Sequence, residues 1–295
     1  MNVLVAGGTG FIGRNLCAEL VERGHQVTAL SRDPDPSELP DGVETAVGDI
    51  SAYDSIEGAF EGRDVVVNLV ALSPLFQPPK GASHMTVHYG GTENVLQATD
   101  EHDVDKLVHM SALGADPDGA TEYIRAKGLA EEAVQEADID SVIFQPSVVF
   151  GDGGEFVPFA RKLTPGPLFK VLPGGGRTRF QPIHVGDLVP MLADAVEDDK
   201  HVGETYEVGG PEVLTLAEVT RLAYEAKGKS AKIVPMPMAI AKLGLTVAGP
   251  LPFIPMGPDQ ARSLRLDNST ADNGVTAFGV DPDSLTTLQE YLGLA

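Results

Sequence analysis

Along the first half of the chain, short β-branched apolar runs alternate with segments whose apolar residues recur at helical spacing. The runs Asn2–Ala6, Gln26–Ser31, Glu44–Val47, Asp64–Leu69, Lys106–Met110 and Ser141–Phe144 predict strands. Between them, helical spacing predicts helices over Phe11–Arg23, Ser55–Phe60, Val87–Ala98 and Tyr123–Ala137. Such alternation folds into parallel strands joined by right-handed crossovers, so the expected class is α/β, a doubly wound parallel sheet with its ligand crevice at the strand C-termini. After Pro146 the text turns to Gly- and Pro-rich stretches, Gly151–Glu155 and Pro173–Gly176, with helices near Asp187–Glu197 and Leu216–Ala226. Residues 1–150 are therefore expected to form the sheet domain, and residues 151–295 a smaller C-terminal substrate lobe with segments returning to the sheet. No polar low-complexity run separates the two.

The first strand runs straight into Gly7-Gly8-Thr9-Gly10-Phe11-Ile12-Gly13, ahead of an amphipathic helix. One glycine permits the tight turn, one lets backbone amides approach a pyrophosphate, and one lets the helix pack on the strand. Gly7, Thr9, Gly10, Phe11, Ile12 and Gly13 are thus expected to hold a dinucleotide. A carboxylate closing the second strand takes both ribose hydroxyls of NAD(H), but Ser31-Arg32 stands there instead. A guanidinium holds a 2′-phosphate and a small hydroxyl leaves it room, which favours NADP(H); neighbouring Asp33 keeps NAD(H) open, with Arg32 then a solvated surface charge.

Tyr123 and Lys127 are four residues apart on one helix face, and Ser111 ends the fifth strand twelve residues before Tyr123. An ammonium beside a phenol favours the phenolate. Tyr123 is therefore expected to exchange a proton with a substrate oxygen that Ser111 orients, while Lys127 also holds the nicotinamide ribose. Y-x-x-x-K alone occurs by chance in many helices, and its place after the fifth strand is what gives it weight. The single cysteine, Cys17, sits at helical spacing behind the glycine turn and reads as a core thiol rather than a nucleophile.

Gly7–Gly13, then Gly48-Asp49-Ile50 after the third strand and Asn68-Leu69-Val70-Ala71 after the fourth, resemble the extended and atypical short-chain dehydrogenases/reductases, a Rossmann-fold superfamily. The resemblance implies that Asp49, with Ile50, meets the adenine, that Leu69, Val70 and Ala71 line its ribose, and that Ser111, Tyr123 and Lys127 are the catalytic set. An Asx turn is the alternative role for Asp49. Gln145–Gly151 resembles the segment bordering nicotinamide, which implies Pro146, Ser147 and Val148 there. The chain departs from the superfamily at His88, commonly an Asn that supports the lysine through water; His88 is either a substitute polar partner or a structural histidine.

Gly174–Phe180 and Gln181–Asp187 resemble the segment that closes over substrate in sugar-nucleotide epimerases. Arg177, Arg179 and His184 are the implied contacts to a small, anionic substrate, with plain surface charge the alternative for the arginines. Asp187 is expected to cap the following helix. Leu251–Pro255, Asp259–Leu264, Asp267–Ser269 and Phe278–Pro282 are similar to the nucleotide-binding accessory subunit of respiratory complex I and its stand-alone prokaryotic relatives. That branch implies NADPH or NADH binding, often with degraded catalytic positions. The expected function is an NAD(P)(H)-dependent oxidoreductase, with a non-catalytic NAD(P)H-binding subunit or redox sensor, or a sugar-nucleotide epimerase or dehydratase, as alternatives.

Composition narrows the setting. Lys and Arg total 21 against 43 Asp and Glu, a formal charge of −22, far beyond the magnitude of about 2–8 usual for a small soluble domain. Nucleic acid is excluded as a partner by repulsion, and no metal is expected. The charge predicts a halophilic, cytoplasmic and haloarchaeal setting, in which ~1 M salt shortens the screening length to ~3 Å, with a simply acidic protein as the alternative. Met1–Ala6 has no basic leader, so no signal peptide is expected. The most apolar stretch, residues 234–256, contains Lys242 and five prolines; it is expected not to span a membrane, which leaves contact with a membrane surface or a respiratory complex open. In a thermal melting series against KCl, the transition is expected to rise steadily towards molar salt; a flat or falling series contradicts the halophilic expectation.

Overall fold

The computed structural model describes residues 1–163, 169–236, 258–263 and 265–295. Most of the apolar stretch over 234–256, the Leu251–Pro255 motif and Leu264 lie outside the described residues. The chain divides into two compact units. Met1–Leu72, Pro78–Pro146 and Val185–Glu207 form the first; Ser73–Gln77, Ser147–His184 and Val208–Ala295 form the second. The first unit thus takes Val185–Glu207 from beyond residue 150, and the second takes Ser73–Gln77 and Ser147–Phe150 from the first 150 residues.

The first unit is built on β1 (Asn2–Ala6), β2 (Gln26–Ser31), β3 (Val43–Val47), β4 (Val65–Asn68), β5 (Lys106–Met110) and β6 (Asp140–Pro146). With the strand Thr205–Val208 at one edge, the order is Thr205–Val208, β6, β5, β4, β1, β2, β3. All pairings from β3 to β6 are parallel. The order steps outward from β1 in both directions, which is the doubly wound Rossmann topology with its reversal between β1 and β4. Val3, Leu4, Val5 and Ala6 are all fully buried, as a strand covered on both faces requires.

Register sets the site. Ala6 pairs with Asn68, Asn68 with His109, and His109 with Ile143. The next row, at the C-terminal ends of the strands, is Gly7, Leu69, Met110 and Phe144, and the hydrogen bonds Leu69 N to Ala6 O and Ser111 N to Phe144 O carry the pairing onward.

Helices α1 (Phe11–Glu22), α2 (Gly90–Glu101) and α3 (Glu122–Glu136) follow β1, β4 and β5. Leu16, Cys17 and Leu20 bury the inner face of α1. Burial pushes the Cys17 thiol up to about 12, so it is an inert core group. Just past α1, Arg23 bonds Glu19 at 2.8 Å, and Asp194 at 2.7 Å and Glu197 at 2.8 Å on the helix Val185–Glu197. That helix starts two residues before the expected Asp187, which falls in its first turn, where a carboxylate favours the helix N-terminus.

Two helical expectations change. Ser55–Phe60 is not an α-helix but part of two 3₁₀ turns, Tyr53–Ser55 and Glu57–Ala59. Ile56 and Phe60 are fully buried and mimic a helical stripe, yet the segment is too short to repay helix nucleation and has Gly58 in its middle. Val87–Ala98 resolves into a π-helical turn, Met85–Tyr89, running into α2 at the Gly90-Gly91 pair.

In the second unit, Phe150, Phe156, Leu172, Phe180, Leu216 and Val219 form a separate core. No helix among the described residues is long and apolar enough to cross a membrane. Gly13 is the tightest point of the first unit: a Cβ there would lie 2.2 Å from Gly7 O and 2.7 Å from Gly8 Cα. Gly13→Ala is expected to cost about 1–3 kcal/mol by overpacking backbone that cannot rotate away. Gly58→Ala, with nothing within 4 Å, is expected to change stability by under about 0.5 kcal/mol. Urea unfolding of the two variants tests this, and equal effects contradict it.

Candidate functional site

The glycine turn forms a narrow amide-lined cradle. Gly10 is the N-cap of α1 and brings no capping side chain. Arg14 N, on Gly10 O at 2.9 Å, is the first amide to bond back, so those of Phe11, Ile12 and Gly13 lack intrahelical acceptors. Gly7 has φ +82°, which favours glycine, and a Cβ there would meet Leu69 C and Val70 N at 3.2 Å. A cradle that side chains would fill, at the positive end of a helix dipole, fits a pyrophosphate. Thr9 lies in the turn between the two glycines.

At the end of β2, Ser31 Oγ is buried with no hydrogen-bond partner, while Arg32 and Asp33 are exposed. Asp49 makes an Asx turn: its Oδ1 accepts from Ser51 N at 2.9 Å and Ser51 Oγ at 2.6 Å. The Ser51 hydroxyl holds the Asp49 carboxyl below its ordinary value; burial opposes this, and the Arg32 guanidinium nearby adds to it. Ile50 is buried, and its carbonyl accepts from Asn94 Nδ2 at 2.7 Å. Leu69–Ala71 leaves β4 under two restraints, Val70 N to Asn68 Oδ1 at 3.3 Å and Leu72 N to His88 Nε2 at 3.2 Å.

Helix α3 starts from Thr121, whose hydroxyl accepts from Ile124 N at 3.3 Å. Tyr123, Lys127 and Glu131 follow at intervals of four, so they share one face. Lys127 is buried, and its Nζ donates to Met110 O, the end of β5, at 2.6 Å. Burial draws the ammonium down to about 8, against the pull of Glu131. The expectation that Lys127 pushes Tyr123 towards phenolate is corrected. Lys127 turns to the Met110 carbonyl, and burial pushes the Tyr123 phenol up from its ordinary value. At neutral pH Tyr123 carries its proton.

Tyr123 packs edge-on against two imidazoles, His84 and His88, each with ring centroids 5.4 Å from the phenol ring. His88 Nε2 accepts from Leu72 N, which puts the proton of the neutral ring on Nδ1. Burial first, then the Lys127 charge, pushes His88 far below its ordinary pKa, and His109 of β5 down to about 3. Asn68 Nδ2 lies 3.4 Å from both His109 Nδ1 and Thr92 Oγ1, while the Thr92 hydroxyl donates to His88 O at 2.6 Å.

Glu131 and Gln145 complete the cluster. Gln145 Nε2 donates to both Glu131 carboxylate oxygens, at 2.9 and 2.7 Å. Burial raises the Glu131 carboxyl, while Ser111, Gln145 and Lys127 act to lower it. The buried Ser111 hydroxyl faces Glu131 without a hydrogen bond of regular geometry. Glu131 was legible as the next step of the Tyr123–Lys127 spacing, and His84 as the residue one turn before His88. Nothing in the local pattern of β5 singles out His109.

The structure therefore places the glycine turn, Ser31, Asp49, Leu69–Ala71, Ser111, Tyr123 and Lys127 in the first unit, along with Pro146, whose carbonyl accepts from Leu113 N at 3.0 Å. Ser147, Val148, Arg177, Arg179 and His184 belong to the second. There, Asn268 Oδ1 lies 2.7 Å from Ser147 Oγ and 3.0 Å from Val148 N. Arg177 is exposed. Arg179 pairs with Asp267, at 2.8 and 2.9 Å, and both side chains are exposed. His184 packs at a tilt against Phe150 and Tyr291, with ring centroids 5.3 and 5.6 Å away.

Comparison with known proteins bears on the family and the fold. A family model described as NAD(P)H-binding matches residues 7–159, just over half of the chain. The mitochondrial NADH dehydrogenase (ubiquinone) 1 alpha subcomplex subunit 9 of Arabidopsis thaliana is 28% identical over 301 residues, covering 94% of this chain and 73% of that protein. The 3 beta-hydroxysteroid dehydrogenase/Delta 5→4-isomerase of Mycobacterium tuberculosis is 30% identical over 262 residues, covering 77% of this chain and 70% of the enzyme. Among solved structures, the Thermus thermophilus UDP-glucose 4-epimerase complex with NAD superposes with a TM-score of 0.73 at 24% identity, over 100% of this chain and 97% of that one, a likeness of fold. The chain belongs to the NAD(P)H-binding family of Rossmann-fold proteins, with short-chain dehydrogenase/reductase-type homologues.

Proposed function

We propose that this protein is an NADP(H)-preferring oxidoreductase that reduces a small carbonyl substrate, with Tyr123 as general acid. The observation that carries the reading is the single face of α3, which sets Tyr123 beside a buried cationic Lys127 at the end of β5, two strands from the glycine cradle. When bound, the nicotinamide supplies the hydride. Tyr123 donates the accompanying proton from its hydroxyl to the substrate oxygen, a direction that suits a phenol kept protonated by burial. Ser111 orients the oxygen, and Lys127 holds the nicotinamide ribose. The unpartnered Ser31 hydroxyl and the exposed Arg32 beside it support the choice of a 2′-phosphate. The net charge of −22 supports a small-molecule partner and a salt-rich cytoplasm.

A second reading, an NAD(P)H-binding subunit without turnover, draws on the same centre. Lys127 is already satisfied by Met110 O and does not activate the phenol. The relative named as a complex I subunit adds to it.

Tyr123→Phe separates the two. The enzyme reading expects turnover to fall about 10²- to 10⁴-fold while NADPH affinity stays within about threefold. Wild type that oxidises neither NADPH nor NADH with any carbonyl or quinone supplied favours the binding subunit. In paired titrations NADPH is expected to bind at least about tenfold tighter than NADH, a difference of about 1.4 kcal/mol; tighter NADH binding overturns the cofactor preference.

A further inference from the structure

A buried ammonium needs a counter-charge, or it gives up its proton. The titratable groups around Lys127 are Tyr123 and Glu131 on its own helix, His88 on the Met85–Tyr89 turn with His84 just before that turn, and His109 on β5. Tyr123 is a neutral phenol, and burial holds His88 and His109 in their neutral forms. Of these groups only Glu131 supplies negative charge. It lies one turn beyond Lys127 on the same buried face and forms no ion pair with it within 4 Å, because Lys127 Nζ is drawn to Met110 O at 2.6 Å. The two charges therefore act on each other through space, in surroundings that screen them far less than water does.

What keeps the carboxyl charged is equally local. Gln145, at the end of β6, gives N–H bonds to both Glu131 oxygens, at 2.9 and 2.7 Å. Donors to both oxygens favour the ionised form and fix its orientation on α3. Transfer of the Lys127 proton to Glu131 would discharge both groups and leave one oxygen with an O–H facing an amide N–H.

We propose that Glu131 is a positioning residue that keeps Lys127 protonated inside the site, and that Gln145 is the clamp that keeps Glu131 ionised. The role in turnover rests on the reading of Lys127 given above; the charge relation between the three side chains does not.

The test titrates Lys127 directly. The whole chain is prepared with lysine labelled at Cε with ¹³C, and the Lys127 signal is assigned by its loss in Lys127→Met. In wild type it is expected to titrate below the remaining lysines. Glu131→Gln is expected to lower its midpoint by about one pH unit or more, Gln145→Leu to lower it in the same direction, and Glu131→Asp to preserve most of the wild-type value. Midpoints left unmoved by both Glu131→Gln and Gln145→Leu, in protein that melts like wild type, overturn the proposal. If Glu131→Gln does not fold, Gln145→Leu decides alone.

NADPH titration of the same samples separates this from the functional reading. The chain has no tryptophan, so the emission of NADPH itself can be followed cleanly. Wild type that binds no NADPH while the Lys127 midpoint moves as expected leaves the charge relation standing and removes the oxidoreductase reading. NADPH binding with unmoved midpoints does the reverse.

Discussion

The parallel register across β1, β4, β5 and β6 is the constraint on which the rest of the site depends. Because Ala6, Asn68 and His109 lie in one row, the chain leaves β1, β4 and β5 at nearly the same level, while β6 runs on to Pro146. Gly7, Leu69 and Met110 then sit side by side, and each exit segment is held by its neighbour. Gly7, at a positive φ, closes tightly on Leu69 and Val70, and Met110 offers its carbonyl to Lys127. A shift of one residue in β4 or β5 would turn Asn68 or His109 to the opposite face and take the polar links between the strands with it.

Those links run through side chains that are polar yet uncharged. Asn68, Thr92, His88 and His109 tie the Leu69–Leu72 segment to α2 and β5. A neutral imidazole is tolerated at such depth where an imidazolium is not, and the nearby Lys127 charge reinforces that choice. Lys127 and Glu131 thus sit in a shell of neutral groups that includes His88 and His109. Such a site suits a centre that must keep one proton on a phenol and another on an amine at the same pH.

Much of this was legible in the sequence where the governing rule is local. The glycine turn couples conformation, dipole and close packing over seven residues, and the Tyr123–Lys127 spacing follows from helix geometry alone. Spacing says that two side chains are neighbours but not where each points, and so the Tyr123–Lys127 coupling was misjudged: Met110 O, seventeen residues before Lys127, takes the ammonium. The pairing of Asp267 with Arg179 across 88 residues has no local sign either. Buried histidines such as His109 leave no periodic trace, because in their neutral form they pack as core residues. The Ser55–Phe60 stripe erred the other way, since two buried side chains four apart suit a pair of 3₁₀ turns as well as a helix.

The central claim is that the C-terminal edge of the sheet holds a dinucleotide between the glycine cradle and the Tyr123–Lys127 face. A structure of the protein with NADPH bound tests it most directly. The account predicts the pyrophosphate on the amides of Gly10–Gly13, the 2′-phosphate at Ser31 and Arg32, and Lys127 within hydrogen-bond reach of the nicotinamide ribose. A nucleotide seated elsewhere, or one bound at the cradle with its nicotinamide directed away from Tyr123, contradicts it.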